Sequence, residues 1–138
     1  MSRLLLDTNV LLDCVDPNRA HHGDAMRLIA RCNGGGDMGL ASSHSFKDAY
    51  YIMSQLYGEK HAREAVRILS DLVDIGPIGA EETLVAIDSN EPDFEDGLIR
   101  ACAELNDVDF IISRDEKAFK KAKIRKVAAA EYLDTICD

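Results

Sequence analysis

Short apolar runs that stop at an acid alternate along this chain with longer stretches in which apolar residues recur every three or four positions. Arg3–Leu6 ends at Asp7 and reads as a buried strand. Thr8 to Leu12 then opens a helix capped by Asp7 or Thr8, and Pro17-Asn18 breaks it. A second helix is expected from about Gly23 to Cys32, with Ala25, Met26, Leu28 and Ile29 inward. The loop Asn33–Asp37 leads to a strand from Met38 to Ala41. Ser42-Ser43-His44 marks a helix entry; Ser45 to Tyr57 buries Phe46, Ala49, Tyr50, Met53 and Leu56, and Gly58 ends it. Glu59 to Leu72 is a further amphipathic helix. Val73–Ile78 suits a strand, Ala80 to about Ile87 a helix, and a helix starting in Asn90–Asp93 reaches Leu105. The segment Asp109–Ser113 is the clearest strand; Lys126–Ala128 and Ala129–Ile136 close the series as strand and helix.

Strands alternating with helices predict an α/β fold, a three-layer α/β/α sandwich around a central, mostly parallel sheet. No repeat, linker or low-complexity segment divides the 138 residues, so one domain spanning 1–138 is expected. Apolar residues make up 46% of the chain, too many for a disordered one. No apolar run approaches the roughly 20 residues a bilayer requires, so no membrane is expected. The first residues lack a secretory h-region, and a cytoplasmic protein is expected. Sixteen Lys and Arg against 25 Asp and Glu leave a net charge of -9. That balance argues against coating nucleic acid through bulk positive charge, and suits a site that gathers carboxylates around a cation. Cys14, Cys32, Cys102 and Cys137 form no C-x-x-C pair and read as reduced, buried thiols.

In open α/β sheets, ligands bind beyond the carboxyl ends of the strands. Asp7 follows Leu4-Leu5-Leu6 directly, and Asp115 lies just beyond Phe110-Ile111-Ile112, so both are predicted to reach one sheet edge. Asp96 sits in the first turn of the helix carrying Leu98, Ile99, Cys102 and Leu105, and Asp93 shares its face at i, i+3. Asp48, one turn into the helix after Ser43, is a fourth candidate, with His44 on the same face. Crowded carboxylates repel, and a divalent cation relieves that cost. Oxygen-only donors favour Mg²⁺ or Mn²⁺ over zinc. An ion so held polarises phosphoryl oxygens and activates water, which suits phosphodiester hydrolysis.

Asp7-Thr8-Asn9 after a strand, a mid-chain acid on a helix, Asp96-x4-Ala101-x-Ala103, and Ser113-Arg114-Asp115-x3-Phe119 together resemble the PIN-domain family, over essentially the whole chain. The resemblance implies a Mg²⁺- or Mn²⁺-dependent ribonuclease. Small members are often toxins of toxin–antitoxin pairs, inhibited by a partner and commonly dimeric. It assigns Asp7, Asp96 and Asp115 to the catalytic, metal-holding acids. Asp48 stands where the family commonly has Glu, one methylene longer, so a water could bridge it to the metal. Asp93 matches no general motif position and is placed as an outer support or as ligand to a second ion. Asn9 and Ser113 match polar positions that orient the acids or metal-bound water. The implied reaction is in-line attack by activated water, leaving a 5′-phosphate and a 3′-hydroxyl.

Six of the sixteen basic residues lie between Lys117 and Lys126, and Lys117, Lys120 and Lys121 are the candidates for holding an RNA backbone. Gly34-Gly35-Gly36 lacks the Lys-Ser/Thr of a P-loop. A haloacid-dehalogenase-like phosphatase needs Asp where Asn9 stands, and a two-component receiver needs a paired acid after its first strand and a central phosphoacceptor. A PIN-like module with weakened metal ligation, binding RNA or protein without cutting, is the alternative.

Overall fold

The sheet is laid down by three apolar runs whose alternate side chains face opposite layers. Strand β1 is Arg3–Leu6, β2 Met38–Ser42, β3 Asp74–Gly76, β4 Phe110–Ile112 and β5 Arg125–Val127. All five are parallel, in the order β3-β2-β1-β4-β5. Leu4 and Leu6 enter one core with Ala41, Ile112 and Val127, while Leu5 enters the other with Leu40 and Ile111. The period-2 alternation of a strand therefore serves both faces of a buried parallel sheet. This computed structural model describes residues 1–138.

On the first face lie α1 (Thr8–Val15), α2 (His22–Asn33), α3 (Ser43–Tyr57) and α4 (Glu59–Leu72), through Leu11, Leu28, Met53 and Leu69. On the second lies α6 (Phe94–Leu105), through Ile99, Cys102 and Ala103, with α5 (Ala80–Ile87) packed on α6. The three-layer α/β/α arrangement is as the alternation predicts. Close packing of α6 on the sheet depends on Gly76, where a Cβ would stand 2.6 Å from Cys102 Sγ.

Several details differ from the sequence expectation. Met26, Leu56 and Leu105 are exposed. Met26 lies off the stripe Ala25–Leu28–Ile29, and Leu105 is the last residue of its helix. The final helix is α-helical only over Ala129–Glu131 (α7) and widens into a π-helical turn, Tyr132–Ile136, where the buried Tyr132 hydroxyl donates to Asp37 (2.8 Å). All four cysteines are free, but Cys32 and Cys137 are only partly buried. Tyr50 packs against the core and Tyr51 is exposed. No helix is long and apolar enough to cross a membrane.

Candidate active site at the β1–β4 rim

The strand order reverses beside β1, which is where an open parallel sheet forms a crevice. The register pairs Leu6 with Ile112, so the next residues of each strand, Asp7 and Ser113, emerge side by side. The Asp7 N–H donates to Ile112 O (3.0 Å) and extends the ladder by one residue. Its carboxylate is almost completely buried and accepts from the Thr8 N–H (2.8 Å) and the Ser113 hydroxyl (2.8 Å). Burial pushes the Asp7 carboxyl up, against these two hydrogen bonds, and the charge of Asp115 adds to the rise. Ser113 Oγ also accepts the Asp115 N–H (3.1 Å), so one hydroxyl links two candidate acids.

Asp115 is exposed, and its Oδ1 accepts the N–H groups of Lys117 (2.8 Å) and Ala118 (3.1 Å). Those bonds, with Lys126 and Lys117 nearby, hold its carboxyl below the ordinary range. Asp96 comes from the first turn of α6. Asp93 caps that helix, accepting the Asp96 N–H at 3.1 Å. Burial first, then the charges of Asp93, Asp7, Asp115 and Glu91, push the Asp96 carboxyl up to about 6. Acids from three regions of the chain thus oppose the ionisation of Asp96.

Two further predicted members have other hydrogen-bond or ion-pair partners. Asp48 pairs with Lys47 (3.0 Å) in a cleft of about 190 Å³ between α3 and α6 that Phe94 and Glu95 also line. Its charge is not among those that raise Asp96. Asn9 is exposed and accepts from Arg19 Nη2 (3.2 Å). Lys117, Lys120 and Lys121 are exposed beyond Asp115, whereas Lys126 turns inward and donates to Asp115 O and to Ala118 O (2.8 Å).

Sequence reasoning missed the buried ionic supports. Asp13 is 1% exposed, accepts from Arg19 Nε (2.8 Å) and pairs with Arg114 of the Ser113–Asp115 segment. Glu91 and Arg100 are likewise buried together. An acid among Val10, Leu11, Leu12 and Cys14, and an arginine inside Leu98–Ala103, were the available signals.

The candidate donors are all carboxylate oxygens, and the charges of Asp93, Asp7 and Asp115 act together on Asp96, which fits a hard divalent cation. As the side chains stand, no three His, Cys, Asp or Glu groups are gathered into a set that could ligate one. The fit therefore lies in donor type and charge.

The model of the PIN domain matches residues 3–117, and the chain belongs to that family. No curated protein matches it. Among solved structures it is similar to VapC20 of Mycobacterium tuberculosis, described as a sarcin-ricin loop cleaving toxin. The TM-score there is 0.72 at 21% identity, covering 90% of this chain and 98% of that one. A DNA-bound VapBC from Salmonella typhimurium gives 0.68 at 12% identity, with 94% and 99% covered. VapBC2 from Rickettsia felis, bound to a promoter DNA fragment, gives 0.67 at 15%, with 91% and 98% covered. At these identities the likeness is one of fold.

Proposed function

We propose that this chain is a single-domain, Mg²⁺- or Mn²⁺-dependent endoribonuclease and the toxin of a toxin–antitoxin pair, working in the cytoplasm. What supports the reading is that the charges of Asp7 and Asp115, at the ends of β1 and β4, act on Asp96 in the first turn of α6, beside the sheet's switch point. These three would hold the ion, with Asp93 beside them, and Asp48 would join through a water or contribute to a neighbouring subsite. When bound, the ion would supply polarisation of a phosphoryl oxygen and a more acidic water. The chain's own residues do the rest. Ser113 fixes Asp7 by donating to its Oδ2, the Lys117 and Ala118 N–H groups fix Asp115, and the Asp93 cap fixes the start of α6. Asp96, whose carboxyl is pushed up to about 6 by burial and by the neighbouring acids, would be relieved of that repulsion by a bound cation. Products ending in 5′-phosphate and 3′-hydroxyl are expected.

The reading is tested by cleavage of labelled single-stranded RNA. Mn²⁺ or Mg²⁺ should support cutting, chelation should abolish it, and Asp7→Asn should be inactive in the same preparation scheme. Activity equal in Asp7→Asn and wild type would identify a contaminant and sink the assignment. The pairing of Asp48 with Lys47 favours one other reading, a binding module with weakened ligation. RNA binding without cleavage at any metal concentration would select it.

The exposed Lys117, Lys120 and Lys121 are assigned to the RNA backbone. Lys120→Glu with Lys121→Glu should weaken RNA binding by roughly tenfold or more and flatten its salt dependence. Mn²⁺ affinity measured by calorimetry should stay unchanged; equal loss of both would place these lysines in folding rather than in recognition. A homodimer and an antitoxin are the protein partners proposed for the apolar side chains left exposed, among them Tyr51, Leu56, Leu84 and Ile87.

A further inference from the structure

Glu91 lies in the loop before α6, five residues ahead of Asp96, and its side chain is only 1% exposed. A carboxylate so enclosed cannot face substrate, and its two oxygens are both engaged. Oε2 accepts the backbone N–H of Phe119 (2.9 Å), and Oε1 accepts from Arg100 Nη1 (3.4 Å). Arg100 is itself buried on α6 and braced by Asn90 Oδ1 (2.6 Å) and Glu104 Oε1 (2.9 Å). The carboxylate therefore rests on the element that carries Asp96.

The N–H it holds belongs to an unusual residue. Phe119 has φ of 65°, the left-handed region that a bulky side chain rarely adopts, and its ring is buried against the second core. That conformation closes the turn begun by Asp115, whose carboxylate accepts the Lys117 and Ala118 N–H groups. Lys126 fastens the same turn from β5 through Asp115 O and Ala118 O. Ala118 and Phe119 pack in the second core with Ile99, Cys102 and Ala103 of α6, and the Phe119 N–H adds a hydrogen bond from the same turn to the loop before that helix.

We propose that Glu91 is a positioning residue: its carboxylate bridges the segment bearing Asp96 to the turn bearing Asp115 and sets the spacing of those two acids. The inference rests on the reading of the rim as a metal-holding site. It assigns the function to the Phe119 hydrogen bond rather than to the charge of Glu91.

The test compares Mn²⁺ affinity, by titration calorimetry on the full chain, with amide exchange at Phe119. Glu91→Gln keeps an oxygen for the Phe119 N–H; Glu91→Asp keeps the charge but withdraws it by a methylene; Glu91→Ala removes both. Glu91→Asp and Glu91→Ala should weaken Mn²⁺ binding roughly tenfold and speed exchange at Phe119, while Glu91→Gln stays close to wild type in both. Asp and Gln variants falling together would overturn the proposal, because charge would then be the property that matters. So would fast exchange at Phe119 with undiminished Mn²⁺ affinity. Wild type binding Mn²⁺ no better than Asp96→Asn would instead bring down the metal reading itself. That outcome is separate, because it appears before any Glu91 variant is compared.

Discussion

Asp96→Asn should abolish RNA cleavage, by roughly 10²- to 10³-fold or more, and at the same time make the metal-free protein more stable. The two effects have one cause. Burial first, and then the charges of Asp93, Asp7, Asp115 and Glu91, raise the Asp96 carboxyl to about 6 from an ordinary value of 3.8. Between those values the folded state holds a proton that the unfolded chain releases. Stability of the metal-free protein therefore falls as pH rises from about 4 to about 6, and the loss is complete above that window. Asparagine has no charge to repel. At pH 7 the variant should gain about 1 kcal/mol, after allowance for the solvent that reaches the site, and by pH 3.5 the gain should vanish.

Mn²⁺ reverses the order. A cation that binds only the folded state raises its stability by about 2.7 kcal/mol at a hundredfold excess over Kd. Wild type should show that rise in melting temperature at pH 7, and Asp96→Asn should not. The wild-type rise should shrink toward pH 5, as protons compete for the same oxygens. A variant less stable than wild type in chelated buffer would mean that Asp96 is a structural partner, not one of several repelling acids. An equal Mn²⁺ shift in both proteins would move the ion to another place on the surface.

How much of this was readable beforehand depends on the range of the interaction. Asp7 and Asp115 were legible because each follows a strand too apolar to be anything but buried, and parallel pairing of those strands brings their ends together. Asp96 was legible from its place in the first turn of an amphipathic helix. Asp48 was legible as a motif position, but its pairing with the neighbouring Lys47 depends on a rotamer that spacing does not report. The inward turn of Lys126 was hidden among five other cations, because nothing local separates a lysine that fastens a turn from one that meets solvent. The buried carboxylates were the least accessible part. Arg114 reaches Asp13 across more than a hundred residues, and Glu91 meets a backbone N–H whose left-handed conformation no residue type at position 119 announces. An acid within an apolar run signals a partner without naming it.

Asp37 shows the same limit at the opposite end of β2, and its replacement should be among the most damaging to folding. Its side chain is almost wholly buried just before the strand. Oδ1 accepts the Ser2 N–H (2.9 Å), and Oδ2 accepts from Arg31 Nε (2.6 Å) and the Tyr132 hydroxyl (2.8 Å). One carboxylate thus ties the N-terminal strand, α2 and the C-terminal turn. Burial works to raise its carboxyl, but the Ser2 N–H, Arg31 and Tyr132 together hold it below the ordinary 3.8. Asp37→Ala leaves the Tyr132 hydroxyl and the Ser2 N–H without their acceptor and should cost roughly 3 kcal/mol at pH 7 in urea unfolding. Because the folded value is depressed, that contribution is present above pH 3.8 and disappears as pH falls through the folded value. The gap between variant and wild type should therefore narrow in acid. A gap independent of pH would show that the loss is one of packing. Adding Tyr132→Phe removes the stranded hydroxyl and should recover about 1 kcal/mol of the loss in the double variant, whereas simple additivity would mean that the two groups do not act together.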